Sequence, residues 1–441
     1  MRTRYIYALA AMLLLLCGCN GGSSSSAVKD ISASDKQFLD NALSGMIGER
    51  DEQVPGLGVI VFRDGGIVYE NFSGMREISK ALPVTKDSRF RAASLSKMFT
   101  MFGIMQLAEA GRIDLDEDVS SYLGFELRNP NFPDEKITVR MLASHTSTLR
   151  DGESYSLAPQ YSIEEFFRPG GAGYEDGGHF GKEDKSYFKY CNLNYGVLGT
   201  IIERVSGERF DKYIKSNVLL PMGIKADYIV GNFEAGEFQN LGAIYRKEGG
   251  EWTAQADSYS QQPPEDTVWD KYSLNGYEIG TNATVFSPQG GLRISFEELG
   301  RCLEMLMNSG NFRGERIISE ESFTEMCRPQ WVYDETADNG DPYGVMFSYG
   351  LGLYQIDGSS KARLCEKYSI DFIGHSGEAY GLISGLYFRP GTQDGVIFMI
   401  NGTGLEVDVD ERSFGRFSSS YIWEEEIMNP ICERIFAASQ K

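Results

Sequence analysis

Between Phe38 and Met46, apolar side chains recur at the spacing of one helical face (Phe38, Leu39, Ala42, Leu43, Met46), which predicts a helix over about 33–47. Two short apolar runs follow, at 57–62 and 67–72. They flank Asp64-Gly65-Gly66, and turn chemistry of that kind between strand-like runs predicts a β-hairpin. The pattern changes over 95–110, where Met98, Phe99, Phe102, Met105 and Leu107 leave no polar face until Gly111 stops the run; such a helix belongs inside a core. From Arg112 to about Gln330 helix and loop alternate. Helices are expected at 195–205, at 210–218 and after Ser295, whose Glu298 three residues on completes a capping-box pattern. Short strand-like runs then return at 349–355, 372–375, 384–389 and 396–401, with Pro390-Gly391 as a turn, and a last amphipathic helix is expected over 419–437.

Strands at both ends of the chain, with a mostly helical stretch between them, predict an α/β fold of the α+β type. An antiparallel sheet formed from the N- and C-terminal segments (about 31–93 and 345–441), flanked by helices, carries a large, mainly helical insert (about 94–344), with a binding cleft between the two lobes. A chain of 441 residues, 41% hydrophobic and 24% charged, is long enough to bury a core of that size.

Residues 1–19 read differently. Arg2 and Arg4 precede an apolar run over 8–16, which has the length of a signal-peptide core and is too short to cross a bilayer. The run ends in Leu16-Cys17-Gly18-Cys19, which resembles a bacterial lipobox. The resemblance implies lipid attachment at Cys19 and a protein anchored in the bacterial cell envelope, on its periplasmic or surface side. Residues 20–30, with Gly21, Gly22 and Ser23 to Ser26, have the composition of a flexible tether. A formal charge of −21 argues against nucleic acid or an anionic membrane surface as a partner. Apart from Cys17 and Cys19 the cysteines are Cys191, Cys302, Cys327, Cys365 and Cys432, an odd number at no zinc-like spacing. The histidines, His145, His179 and His375, are scattered, so no metal and no cofactor is expected.

Chemistry enters at the start of the apolar helix. Ser94-Leu95-Ser96-Lys97 sets a serine and a lysine three residues apart, where one helical face brings them into contact. A serine hydroxyl needs a base to become a nucleophile, a lysine among apolar neighbours releases its proton more readily, and a helix N-terminus favours developing negative charge. Ser-x-x-Lys alone is a weak signal. It is followed by Tyr190-Cys191-Asn192, running into Asn194-Tyr195-Gly196-Val197-Leu198-Gly199, and then by Gly374-His375-Ser376-Gly377. In this order the three segments resemble the penicillin-recognising serine hydrolases related to class C β-lactamases and D,D-peptidases, and the stretches 137–142, 218–223 and 287–292 extend the likeness over most of 55–405. The resemblance implies a β-lactamase/transpeptidase-like fold, with Ser94, Lys97 and Tyr190 as catalytic residues. It implies Asn192, His375, Ser376 and Gly377 as substrate-binding residues and the backbone N–H groups of Ser94 and Glu378 as an oxyanion hole. The stretch 287–292 is expected to serve packing and turns.

Two departures from the family pattern stand out. Many relatives have His-Thr-Ser-Gly where this chain has His145-Thr146-Ser147-Thr148, so a turn eased by glycine must be made differently. Cys191 stands where the family often has serine, as an inert small side chain or an oxidisable thiol according to its pKa. The expected reaction is hydrolysis of an ester, amide or β-lactam carbonyl, in a small molecule or peptide, through a covalent acyl-enzyme. A histidine in the third motif lacks the permanent charge of a lysine, so recognition of a substrate carboxylate is expected to be weaker unless an arginine compensates. That favours an esterase or D-peptidase over an efficient β-lactamase. The alternative is a penicillin or cell-wall fragment sensor without turnover, or a binding module. The aromatic stretch 254–281 either covers the site or decorates the surface.

Overall fold

The computed structural model describes residues 30–184, 186–341 and 346–437; the leader with Cys19, and residues 20–29 of the tether, lie outside the described residues. The first element is α1 (Ala33–Ser44), opened by Ser32, whose side chain accepts the N–H of Asp35. The hairpin β1 (Gly56–Arg63) and β2 (Gly66–Glu77) turns at Asp64-Gly65, with φ of 52° and 79°; a turn that needs two left-handed residues selects that dipeptide. There follow β3 (Leu82–Pro83), α2 (Ser96–Glu109), α3 (Leu193–Ser206), β4 (Ile244–Glu248), β5 (Glu251–Ala256) and α4 (Phe296–Met307). The last group is β6 (Trp331–Val332), β7 (Ser348–Tyr349), β8 (Tyr354–Ile356), β9 (Phe372–Ala379), β10 (Leu382–Phe388), β11 (Gly395–Ile400) and α5 (Ile422–Ile431).

The main sheet has nine strands in the order β6-β7-β8-β9-β10-β11-β1-β2-β3, antiparallel at every junction. Its two chain ends meet at β1 and β11, where Leu57 faces Ile400 and Phe62 faces Gly395. Alternation then divides the side chains between two cores. Ile60, Phe62, Leu386 and Ile397 pack with α2, α3 and α4, whereas Val59, Val61, Tyr387 and Phe398 pack with Leu39 and Leu43 of α1 and Trp423 and Ile427 of α5. A sheet covered on both faces explains why β10 and β11 are buried along their whole length.

The expected strand over 349–355 is two short strands. Between them Gly350 donates its N–H to Leu353 O, and Gly352 takes φ of 71° where a Cβ would stand 2.6 Å from Met101 of α2. The helix after Ser295 carries the expected capping box with Glu298, whose carboxylate also receives two nitrogens of Arg89 at 2.5 and 2.9 Å. Cys365 and Cys432 form a disulfide that ties the 357–371 loop to the turn after α5. Closing 67 residues in this way stabilises the fold by roughly 4 kcal/mol, mainly by restricting the unfolded chain. Cys191, Cys302 and Cys327 are free, and burial pushes all three thiols upward in pKa, which makes them poor nucleophiles.

Candidate active site

Ser94 sits in a single 3₁₀ turn, Ala93–Leu95, that runs into α2. That turn is fixed from two sides. The strand Arg89–Arg91 pairs with Arg293–Ser295, and Ala92 N–H continues the pairing onto Leu292 O. From the other side β9 presses so closely that a Cβ on Gly377 would lie 3.0 Å from Ser94 N and 2.8 Å from Ala92 O, while β10 contributes Ser384 Oγ, which donates to Ala92 O at 3.0 Å. Ala93 is held at φ of 50°, a conformation an alanine adopts only where its surroundings impose it. The second serine of the motif, Ser96, is buried and spends its hydroxyl on Ala93 O and Leu292 N–H, which leaves the half-buried Ser94 as the serine of the motif that lines the cleft.

Lys97 is 0% exposed, and its Nζ has three polar neighbours: Asn192 Oδ1 at 2.8 Å, the Gln289 carbonyl at 3.0 Å and Ser94 Oγ at 3.0 Å. Burial lowers its pKa to about 7, with Asp151 acting in the opposite direction. The first two neighbours only accept, so they take both hydrogens of a neutral amine and turn its lone pair toward Ser94. Tyr190 O–H donates to Ser94 Oγ at 2.9 Å, and Lys97 Nζ stands 4.6 Å from the centre of the Tyr190 ring.

Two uncharged imidazoles lie near that tyrosine. His145 lies against it, ring centres 4.3 Å apart, with Nδ1 accepting Cys191 N–H; burial holds its pKa well below the ordinary value. His375 is also fully buried, and here an expectation is corrected: its side chain does not line the cleft. Strand alternation puts it on the face of Gly377, beneath the seam between sheet and helices, where its Nδ1–H donates to Ser376 O and its Nε2 accepts from Tyr349 O–H. Burial and the Lys97 charge lower its pKa to about 3, so it stays neutral, with its ring centre 6.4 Å from that of Tyr190.

The cleft over Ser94 encloses about 450 Å³ and is lined by Ser94, Tyr190, Asn192, Ser376, Gly377 and Glu378 among others. Ser94 and Glu378 therefore border one space. Glu378 extends its carboxylate along the rim to Arg246, 3.3 Å away.

Sequence reasoning missed two contributors. Asp151 accepts Asn192 Nδ2–H at 2.9 Å and, with its other oxygen, the first N–H of α3 at 2.8 Å, so it fixes Asn192 and through it Lys97. The loop that delivers it is the glycine-free one: His145 and Thr148 themselves adopt φ of 60° and 66°, and Thr148 is restrained by Asn129 Nδ2–H on its hydroxyl and Gly181 N–H on its carbonyl. The second contributor is the 287–292 stretch, expected to serve packing. Its successive carbonyls, Pro288, Gln289 and Gly290, accept from Thr100, Lys97 and Arg91. Asp151→Asn should lower kcat/KM about 10- to 100-fold through misplacement of Lys97. Because the lost charge favoured the ammonium form, it should also move the acid limb of the pH profile below 7. A variant whose limb stays in place would deny Asp151 that role.

A family model described as Beta-lactamase matches residues 39–418. Penicillin-binding protein 4* of Bacillus subtilis is 32% identical over 176 residues, 38% of this chain and 36% of that protein, so the match spans about a third of its length. Penicillin-binding protein 4 of Amycolatopsis lactamdurans is 25% identical over 364 residues, covering 80% of this chain and 82% of that one. The solved structure of the octameric penicillin-binding protein homologue from Pyrococcus abyssi aligns with a TM-score of 0.58 over 92% of this chain and 80% of its own, at 21% identity, which is a likeness of fold.

Proposed function

Since this chain belongs to the beta-lactamase family, we propose that it hydrolyses an ester or amide carbonyl through an acyl-enzyme on Ser94. The observation that carries the reading is the arrangement at Lys97 Nζ: two carbonyl oxygens occupy its hydrogens, and its third position faces the serine. Lys97 accepts the Ser94 proton as Oγ adds to the carbonyl carbon, and the oxyanion forms between the N–H groups of Ser94 and Glu378. Tyr190 then gives its proton to the leaving oxygen or nitrogen as that bond breaks and recovers one from Lys97. Water entering from the cleft repeats the sequence and releases the acid. With His375 neutral and hidden, the third motif offers substrate no cation, which supports an esterase or peptidase over an efficient β-lactamase. Lipid anchoring at Cys19 in an oxidising envelope compartment is part of the proposal; the buried Cys365–Cys432 disulfide supports the compartment.

The test is a fluorophosphonate and a penicillin applied to envelope preparations carrying the wild type, Ser94→Ala or Cys19→Ala, with adducts mapped by mass spectrometry. The expected result is a fluorophosphonate adduct on Ser94, absent from Ser94→Ala, and recovered with the detergent phase only when Cys19 is present. No adduct on Ser94 would sink the catalytic reading. A penicillin adduct that persists for hours, with no ester turnover, would replace hydrolysis with sensing.

A further inference from the structure

The cleft over Ser94 opens beside a second cavity of about 620 Å³, and the two share Arg91, Tyr155, Gln289 and Tyr380 in their walls. We propose that this second cavity is a substrate subsite in which Arg91 binds a carboxylate carried beyond the scissile carbonyl, while Tyr228, Tyr259 and Trp269 receive the apolar part of the same substrate. The proposal rests on the Ser94 reading and specifies its substrate class.

Arg91 carries five N–H donors, of which Nε–H is given to Gly290 O at 3.0 Å; the guanidinium carbon lies 5.4 Å from the centre of the Tyr380 ring. Among the described residues no carboxylate stands within ion-pair distance of it. The acids in the walls of the two cavities are engaged elsewhere. Asp257 receives two Arg293 nitrogens at 3.1 and 2.8 Å, Asp151 holds Asn192 and α3, Asp270 accepts Tyr259 O–H at 3.1 Å, Glu378 meets Arg246 and Glu424 accepts Tyr387 O–H and Tyr421 N–H, leaving Glu153 on the outer rim. Arg91 and Arg293 therefore face a single buried counter-charge, and a guanidinium fork with free donors on a cavity wall suits a planar carboxylate. The cation stands out in a chain of net charge −21.

The spacing is set by the backbone. Gln289 O holds Lys97 and the next carbonyl, Gly290 O, holds Arg91, so a carboxylate on Arg91 lies on the order of 10 Å from Ser94 Oγ, several bonds from the reacting carbon. That is a different place from the third motif, whose histidine is turned away. The aromatic stretch 254–281 acquires a purpose: Tyr259 and Trp269 wall the subsite, whereas Tyr277 packs half-buried against the core and ties its hydroxyl to Glu203 at 2.7 Å.

The experiment compares p-nitrophenyl hydrogen suberate with its methyl ester, and 4-carboxyphenylbutyl esters with their methylated forms, so that the carboxylate lies on the acyl or the leaving side. In one of the two series wild type should prefer the acid at least tenfold in kcat/KM, mainly through KM. The ratio should fall to within threefold of unity in Arg91→Gln and be intermediate in Arg91→Lys. Melting temperature and fluorophosphonate labelling of Ser94 report the integrity of each variant. A wild-type ratio near unity in both series, or a ratio unchanged by Arg91→Gln, overturns the subsite. Should wild type hydrolyse none of these esters, calorimetry of the same pairs on Ser94→Ala decides: the acid must bind at least tenfold more tightly than its methyl ester, and equal binding overturns the proposal. Ser94 labelling judges the catalytic reading separately.

Discussion

Lys97→Met should lower kcat/KM by about 10⁴, and the wild-type profile should rise with pH to a plateau governed by a group titrating near 7. The amine must be neutral to take the Ser94 proton. Burial has brought its pKa to about 7, so below that value the competent fraction falls tenfold per pH unit, and above it activity is flat. Neither histidine can supply this limb: His375 is held near 3 and His145 well below its ordinary value. Methionine fills similar space in a pocket that excludes water, so the variant tests the amine and not the packing. Stopped-flow acylation by an activated ester across pH 5 to 10 would check both statements. A limb near 10, or a Lys97→Met enzyme within tenfold of wild type, would assign the base elsewhere.

Gly377→Ala should cost about 10²- to 10³-fold in kcat while the fold survives. The new Cβ would stand 2.5 Å from Ser384 Oγ, 2.8 Å from Ala92 O and 3.0 Å from Ser94 N. Ser384 can rotate; the two backbone atoms cannot yield without moving the turn that presents Ser94. Displacing β9 separates Glu378 from Ser94, and the oxyanion hole proposed between them loses value steeply with distance. The loss should appear in kcat for esters and amides alike, with a melting temperature close to that of wild type. Unaltered kcat would show that β9 does not set the geometry at Ser94.

The parts of the fold legible in the sequence were those whose cause is local. Asp64-Gly65 announces a hairpin because few dipeptides tolerate two left-handed residues, and Ser295 with Glu298 announces a helix start because the two groups cap each other. Ser94 and Lys97 share a helical face for the same reason. What stayed hidden depends on distant packing. Asp151 lies 41 residues before Asn192 in an irregular loop, and nothing local marks an aspartate that will hold an amide there. Gln289 acts through its carbonyl, a group every residue has. His375 was expected to end a strand and face substrate. The strand instead runs on to Ala379 through residues of low strand preference, and its alternation turns the imidazole inward.

The pairing of β1 with β11 also has a consequence in time. Asp64 N–H and its acceptor Asp394 are 330 residues apart, and the sheet that supports Ser94 closes only across that gap. At ribosomal rates of about 5–20 residues per second, Ser94 exists for tens of seconds before β11 is made. Contacts of such long range also fold slowly. Through that interval the chain has a serine and a lysine but no assembled β9–β11 wall behind them, so termination before residue 395 is expected to leave a product that a fluorophosphonate does not label at Ser94.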